Sequence, residues 1–155
     1  MIIAAVTGPW MDATSWGGGP LGSQMRMVLF VCVENTFRSV LAEALFNTQA
    51  PRGWRAESAG VRPASAINPV VRELLDEVGV PLGSKAPRLA DPDLVGRADR
   101  VVTFGCLDQC PAAARGKSED WPLPGATGKT MDQLREIRDE LSRRIEGLIA
   151  SLASS

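Results

Sequence analysis

VLFVCVENTFRSVLAEALF, residues 28–46, decides how the rest of the chain is read. An unbroken apolar run stops at Cys32. Arg38 and Ser39 follow, and then Phe37, Leu41 and Leu45, with Val40 and Ala44, fall at helical spacing. A short run with no polar position predicts a parallel strand, buried on both faces, over 27–31. A loop that joins such a strand to a helix start aims several backbone N–H groups inward, where the helix dipole adds its positive end. The stretch therefore predicts an anion site before any side chain is counted.

Working outward, the same alternation recurs. WRAESAGV, residues 54–61, predicts a second strand ending near Gly60. Asn68-Pro69, followed by Val71, Leu74, Leu75 and Val78 and then Gly79, predicts a helix with Pro at its first position and Gly after its end. Asp91-Pro92 opens a shorter helix to about Ala98, and RVVTF, residues 100–104, predicts another buried strand. Thr130 with Gln133 forms a capping box. The helix behind it carries Leu134, Ile137, Leu141, Ile145, Leu148 and Leu152 on one stripe. Strands alternating with helices imply a single α/β domain with a central, mostly parallel sheet of about four strands flanked by helices. In such sheets ligands sit at the carboxyl ends of strands. The turn at Cys32 and the segment GCLDQC, residues 105–110, both follow strands, so all three cysteines are expected at one rim.

Composition narrows the chemistry. With 155 residues, 17 Lys+Arg and 18 Asp+Glu, the chain fits one nearly neutral domain. No basic block points to nucleic acid, and no apolar run is long enough for a membrane span. Residues 1–26 lack a basic start and a long apolar core. They are expected to be a flexible extension, or to precede the true start at Met25 or Met27, with residues 27–155 forming the domain. Three cysteines without a secretory signal suggest reduced thiols in a cytoplasm. The absence of histidine removes Ser-His and Cys-His pairs and any His-ligated metal. No metal or cofactor is expected.

The chemistry then falls to the loop. Val33, Glu34, Asn35, Thr36 and Phe37 would present backbone N–H groups to an oxyanion, and Arg38 a planar fork matched to it. Cys32 at the base feels the same positive field, which favours the nucleophilic thiolate. Ser39 can hydrogen-bond that sulfur. With no glycine between Cys32 and Ser39, Asn35 is the residue expected in the left-handed region. Phe37 is expected to be the first core contact of the helix.

CVENTFRS with AEALF resembles the phosphate-binding loop of the low-molecular-weight protein tyrosine phosphatase superfamily, and within it the thioredoxin-coupled arsenate reductases. The resemblance covers roughly residues 27–152 and includes ESAG (57–60), INP (67–69), VVTFGC (101–106) with CP at 110–111, EDWPLP (119–124) and IRDELSRRI (137–145). It implies that Cys32 attacks arsenate held by Arg38 and the loop amides. Cys106 would then attack Cys32, Cys110 would resolve that disulfide, and a thioredoxin-like reductant would reduce the Cys106–Cys110 bridge. Two departures stand out. The family's general acid, an Asp after the WxLP segment, is replaced by Gly125; Glu119 and Asp120 are the candidate substitutes, and Asp120 is the one assigned. Glu34 brings a carboxylate into the loop and is expected to point outward. The chain also lacks Tyr, and with it the aromatic pair that follows the acid in many of the phosphatases. Three functions stay open: arsenate reduction, phosphate monoester hydrolysis through Cys32 alone, and weak oxyanion binding without turnover.

Overall fold

The computed structural model describes residues 25–83 and 85–153; the expected extension lies almost wholly outside them. Its last residue, Arg26, already belongs to the first strand. In chain order the elements are β1 (Arg26–Cys32), α1 (Arg38–Thr48), β2 (Trp54–Gly60), α2 (Val70–Asp76), α3 (Pro92–Arg97), β3 (Arg100–Thr103), β4 (Ser118–Asp120) and α4 (Met131–Ala153). The four strands form one parallel sheet in the order β2-β1-β3-β4.

β1 is central, and its alternate side chains feed two cores. Val28, Phe30 and Cys32 join the core against α1, α2 and α4, whereas Met27, Leu29 and Val31 join the core under α3. This two-sided burial is why β1 reads as an unbroken apolar run. The chain leaves β1 for β2 on one side and returns to β3 on the other, so the strand order reverses at β1. Cys32 ends β1 at that switch point, where a crevice opens between diverging connections.

Most elements match the expectations, with three adjustments. α2 stops at Asp76 and the chain leaves it through a turn, with Gly79 at φ 71°. Pro69 stands at the N-cap rather than at the first helical position, and the Asn68 side chain before it accepts the Val70 N–H at 3.1 Å. β4 has only three residues, polar and largely exposed, so no hydrophobic period marks it. It is held by its register against Val101–Thr103 and by Trp121 N–H donating to Thr103 O at 2.7 Å. Both halves of the capping box form: Thr130 N–H to Gln133 at 2.8 Å and Gln133 N–H to Thr130 at 3.2 Å. The whole α4 stripe from Leu134 to Leu152 is buried. Among the described residues no helix is long and apolar enough to cross a membrane.

Candidate active site

The loop of residues 33–37 is shaped from behind. The segment after β2 donates to its carbonyls: Val61 N–H to Cys32 O (3.1 Å), Arg62 N–H to Val33 O (2.8 Å), Ala64 N–H to Glu34 O (3.1 Å) and Asn68 N–H to Thr36 O (3.1 Å). With the carbonyls drawn outward, the amides face the other way. Among the described residues no N–H of residues 33–37 is donated to another protein group. Such a row of unpaired donors at the start of α1 is an anion nest.

Gly60 makes this packing possible. A Cβ there would lie 2.7 Å from Val33 O and 2.9 Å from Asn35 N, so only glycine lets the end of β2 touch the loop backbone. The sequence marked Gly60 as a strand end but gave no sign of this approach, which involves residues far apart in the chain.

Asn35 adopts φ 58°, the one non-glycine residue with positive φ among the described residues. It is buried, and its amide is oriented by the chain it touches. The Arg88 N–H donates to Asn35 Oδ1 at 3.0 Å, so Nδ2 is the end that faces Ser39 and donates to its Oγ at 2.8 Å. Ser39 Oγ is thereby an acceptor from Asn35, and its own proton is left for Cys32 Sγ, 2.9 Å away. The network thus supplies a hydroxyl donor to a thiolate at the floor of the loop. Sequence reasoning anticipated Asn35 and Ser39 but not Arg88, whose backbone sets the direction of the whole relay.

Cys32 lies at the base of a cavity of about 340 Å³ lined by Val33, Glu34, Thr36, Phe37 and Arg38 on one side and by Asn68 and residues 125–127 on the other. Phe37 is buried in the core as its spacing suggested. Arg38 Nη1 donates to Leu123 O at 2.7 Å, which fixes the guanidinium beside the cradle. A side chain at Gly125 would begin 3.9 Å from the Arg38 Cζ and Nη2 atoms, so the position of the absent Asp does face the cradle. Glu34 is exposed and lines the cavity.

Asp120 is not among the residues lining this cavity. Its Oδ1 accepts from Thr103 Oγ1 and from the Gly105 N–H at 2.7 Å. Both contacts hold the turn at Gly105, φ 83°, that delivers Cys106.

Cys106 is fully buried, and its Sγ donates to Val31 O at 3.4 Å, one residue before Cys32. Burial pushes the Cys106 thiol up, the neighbouring Cys32 and Asp120 charges add to the rise, and Arg38 is near enough to oppose it. Cys110 is half-buried, and burial, followed by the Cys106 charge, pushes it up to about 11. All three thiols are free. One 3₁₀ turn, Leu107–Gln109, separates the last two. At a rise of about 2.0 Å per residue, a four-residue separation along such a turn spans about 8 Å, beyond the Cα separation of a disulfide. A Cys106–Cys110 bridge therefore needs this turn to rearrange. Two backbone bonds and the Arg62–Gln109 side-chain bond at 2.7 Å hold it, a small barrier.

A larger cavity, about 420 Å³, lies between α1 and Pro81, Leu82, Gly83 and Lys85. Its polar groups are satisfied within the fold, since Glu43 accepts from Ser58 Oγ at 2.6 Å and pairs with Lys85. No cysteine lines it.

The chain matches the low molecular weight phosphotyrosine protein phosphatase family over residues 27–155. It is 30% identical over 125 residues to an arsenate reductase of Staphylococcus aureus, covering 78% of this chain and 94% of that protein. A solved thioredoxin-dependent arsenate reductase from Corynebacterium glutamicum superposes with a TM-score of 0.73 at 37% identity; the match covers 84% of this chain and spans only 63% of that one. An arsenate reductase from Archaeoglobus fulgidus gives a TM-score of 0.67 at 35% identity, covering 79% of this chain and 98% of that one.

Proposed function

Because the chain belongs to the low molecular weight phosphotyrosine protein phosphatase family, we propose that it uses the family's cradle to reduce arsenate through Cys32, Cys106 and Cys110. The observation that carries this reading is the placement of Cys106, a buried thiol against Val31 O at the neck of the Cys32 loop. A phosphatase needs no second thiol there; a reductase does. The reductases among the similar proteins support it.

The chemistry runs in three displacements. The Cys32 thiolate attacks arsenic held by the loop amides and Arg38; an S–As bond forms, one As–O bond breaks, and the departing oxygen leaves as water. Arsenic is still As(V). Cys106, having lost its proton, then attacks Cys32 Sγ. The S–As bonding pair goes to arsenic, which leaves as arsenite, and the two thiols, oxidised by two electrons, become a disulfide. Cys110 finally attacks Cys106, freeing Cys32, and a thioredoxin-like dithiol reduces the remaining bridge. The raised Cys106 thiol keeps its proton at rest. Conversion of the Cys32 thiolate into the covalent adduct moves its charge from the sulfur onto the arsenic-bound oxygens held by the loop amides and Arg38, away from Cys106. Asp120 acts here by holding the Gly105 turn rather than by protonating the substrate.

Hydrolysis of phosphate monoesters is the second reading, favoured by one fact: the amides, Arg38 and the Ser39 donor form a complete phosphate cradle without the other two thiols. Arsenate turnover with a thioredoxin-like reductant separates the two. The first reading expects activity that vanishes in Cys32→Ser, Cys106→Ser and Cys110→Ser. Ester hydrolysis that needs Cys32 alone would replace it with the second, and phosphate binding without turnover would leave only an oxyanion-binding domain.

A further inference from the structure

The cradle lacks the acid that its opposite wall would be expected to carry, since Gly125, Ala126 and Thr127 stand there. The chain contains no histidine. Asp120 is engaged with Thr103 and Gly105 outside the cavity. Glu34 is the only carboxylic acid among the lining residues, and it sits two residues after the nucleophile. Its carbonyl is tied to Ala64 N–H, which fixes the backbone from which the side chain departs. Among the described residues its carboxyl group makes no hydrogen bond or ion pair, so it is free to meet a substrate oxygen.

We propose that Glu34 is the general acid of this active site, transplanted from the distant wall onto the cradle loop itself. The inference rests on the reading of Cys32 and Arg38 as a working cradle. With a phosphate ester, the Cys32–phosphorus bond forms as the ester P–O bond breaks, and the departing oxygen takes the Glu34 proton. Water then attacks the thiophosphate, returns a proton to Glu34, and frees Cys32 and phosphate. With arsenate, the same proton turns the departing oxygen into water. A positioned acid of this kind is worth roughly 10²–10⁴ in rate when the leaving group is poor.

The test compares phenyl phosphate, whose leaving oxygen needs a proton, with 2,4-dinitrophenyl phosphate, whose leaving oxygen does not. It uses the full chain and follows arsenate reduction in parallel. Glu34→Gln is expected to lower phenyl phosphate turnover and the first, arsenate-consuming step by roughly 10²-fold or more. The dinitrophenyl ester should lose far less, and inhibition by inorganic phosphate should persist as evidence of an intact cradle. Adding Gly125→Asp to Glu34→Gln should recover the phenyl phosphate rate, because a side chain there faces Arg38. Equal losses on both esters, or no loss on phenyl phosphate or arsenate, would overturn the assignment. Tighter phosphate binding with both esters shifted alike would make Glu34 a mere rim charge and overturn it too. A wild-type chain that turns over neither ester nor arsenate would sink the reading of the cradle as catalytic, and the acid with it.

Discussion

Asn35→Asp reverses one hydrogen bond while leaving the shape of the loop alone. Asp tolerates the left-handed backbone that Asn35 occupies at φ 58°. One carboxylate oxygen still accepts the Arg88 N–H, as Oδ1 now does at 3.0 Å. The other replaces Nδ2, a donor to Ser39 Oγ at 2.8 Å, with an acceptor. Ser39 must then turn its proton toward residue 35 and away from Cys32 Sγ, 2.9 Å away. A hydrogen bond to a charged group is worth about 1.5–3 kcal/mol, so its loss makes the thiolate about tenfold to a hundredfold scarcer. A carboxylate about 5 Å from the sulfur adds about 3 kcal/mol of repulsion at an effective dielectric of about 20. The assay is the rate of Cys32 alkylation by iodoacetamide at neutral pH, read by peptide mass. Ser39→Ala should slow it about tenfold to a hundredfold and Asn35→Asp further, with the melting temperature checked for each. Alkylation of a folded Asn35→Asp chain at the wild-type rate would refute the donor direction inferred for Ser39.

Two further outcomes follow from the packing. Gly60→Ala forces a methyl group to within 2.7 Å of Val33 O, so either β2 or the loop must shift. A loss of about 1–3 kcal/mol in denaturant unfolding is expected, together with weaker phosphate inhibition. Unchanged stability and inhibition would show that the contact between strand and loop is slack. Glu77 is held down to about 2, chiefly by Arg135 and then Arg138, so it stays ionised in the fold well below the usual carboxylate range. Its contribution is present above about pH 4.5 and is lost as pH falls toward about 2. Glu77→Gln should flatten the dependence of melting temperature on pH across that window, and an unaltered slope would discount the link between α2 and α4.

How much of this was legible in the sequence depends on where each constraint originates. β1 and the α4 stripe announced themselves because burial sets a period along the chain itself. Asn35 could be read because the loop offered no glycine to take the left-handed position. β4 could not be read: three polar residues carry no period, and pairing with β3 alone defines the strand. Gly60, Arg88 and the carbonyl-pulling segment 61–68 were silent for the same reason, since their work depends on a loop far away in sequence. Asp120 shows the limit most clearly. As a carboxylate beside the WPLP segment it was a fair substitute acid, yet it bonds Thr103 at the end of β3 and Gly105 just beyond it, and it does not line the cradle cavity. Glu34 reads as pointing outward because the sequence alone does not show which residues share a cavity with it; the structure puts it in the lining opposite Gly125.

The relay itself is tested most directly by trapping its first disulfide. In Cys110→Ser the bridge between Cys32 and Cys106 has no resolving thiol, so a single exposure to arsenate should stop there. Peptide mapping under non-reducing conditions should find Cys32 joined to Cys106, with about one arsenite released per chain, as a two-electron transfer requires. Cys32 and Cys106 recovered as free thiols after arsenate, with no arsenite formed, would contradict the account.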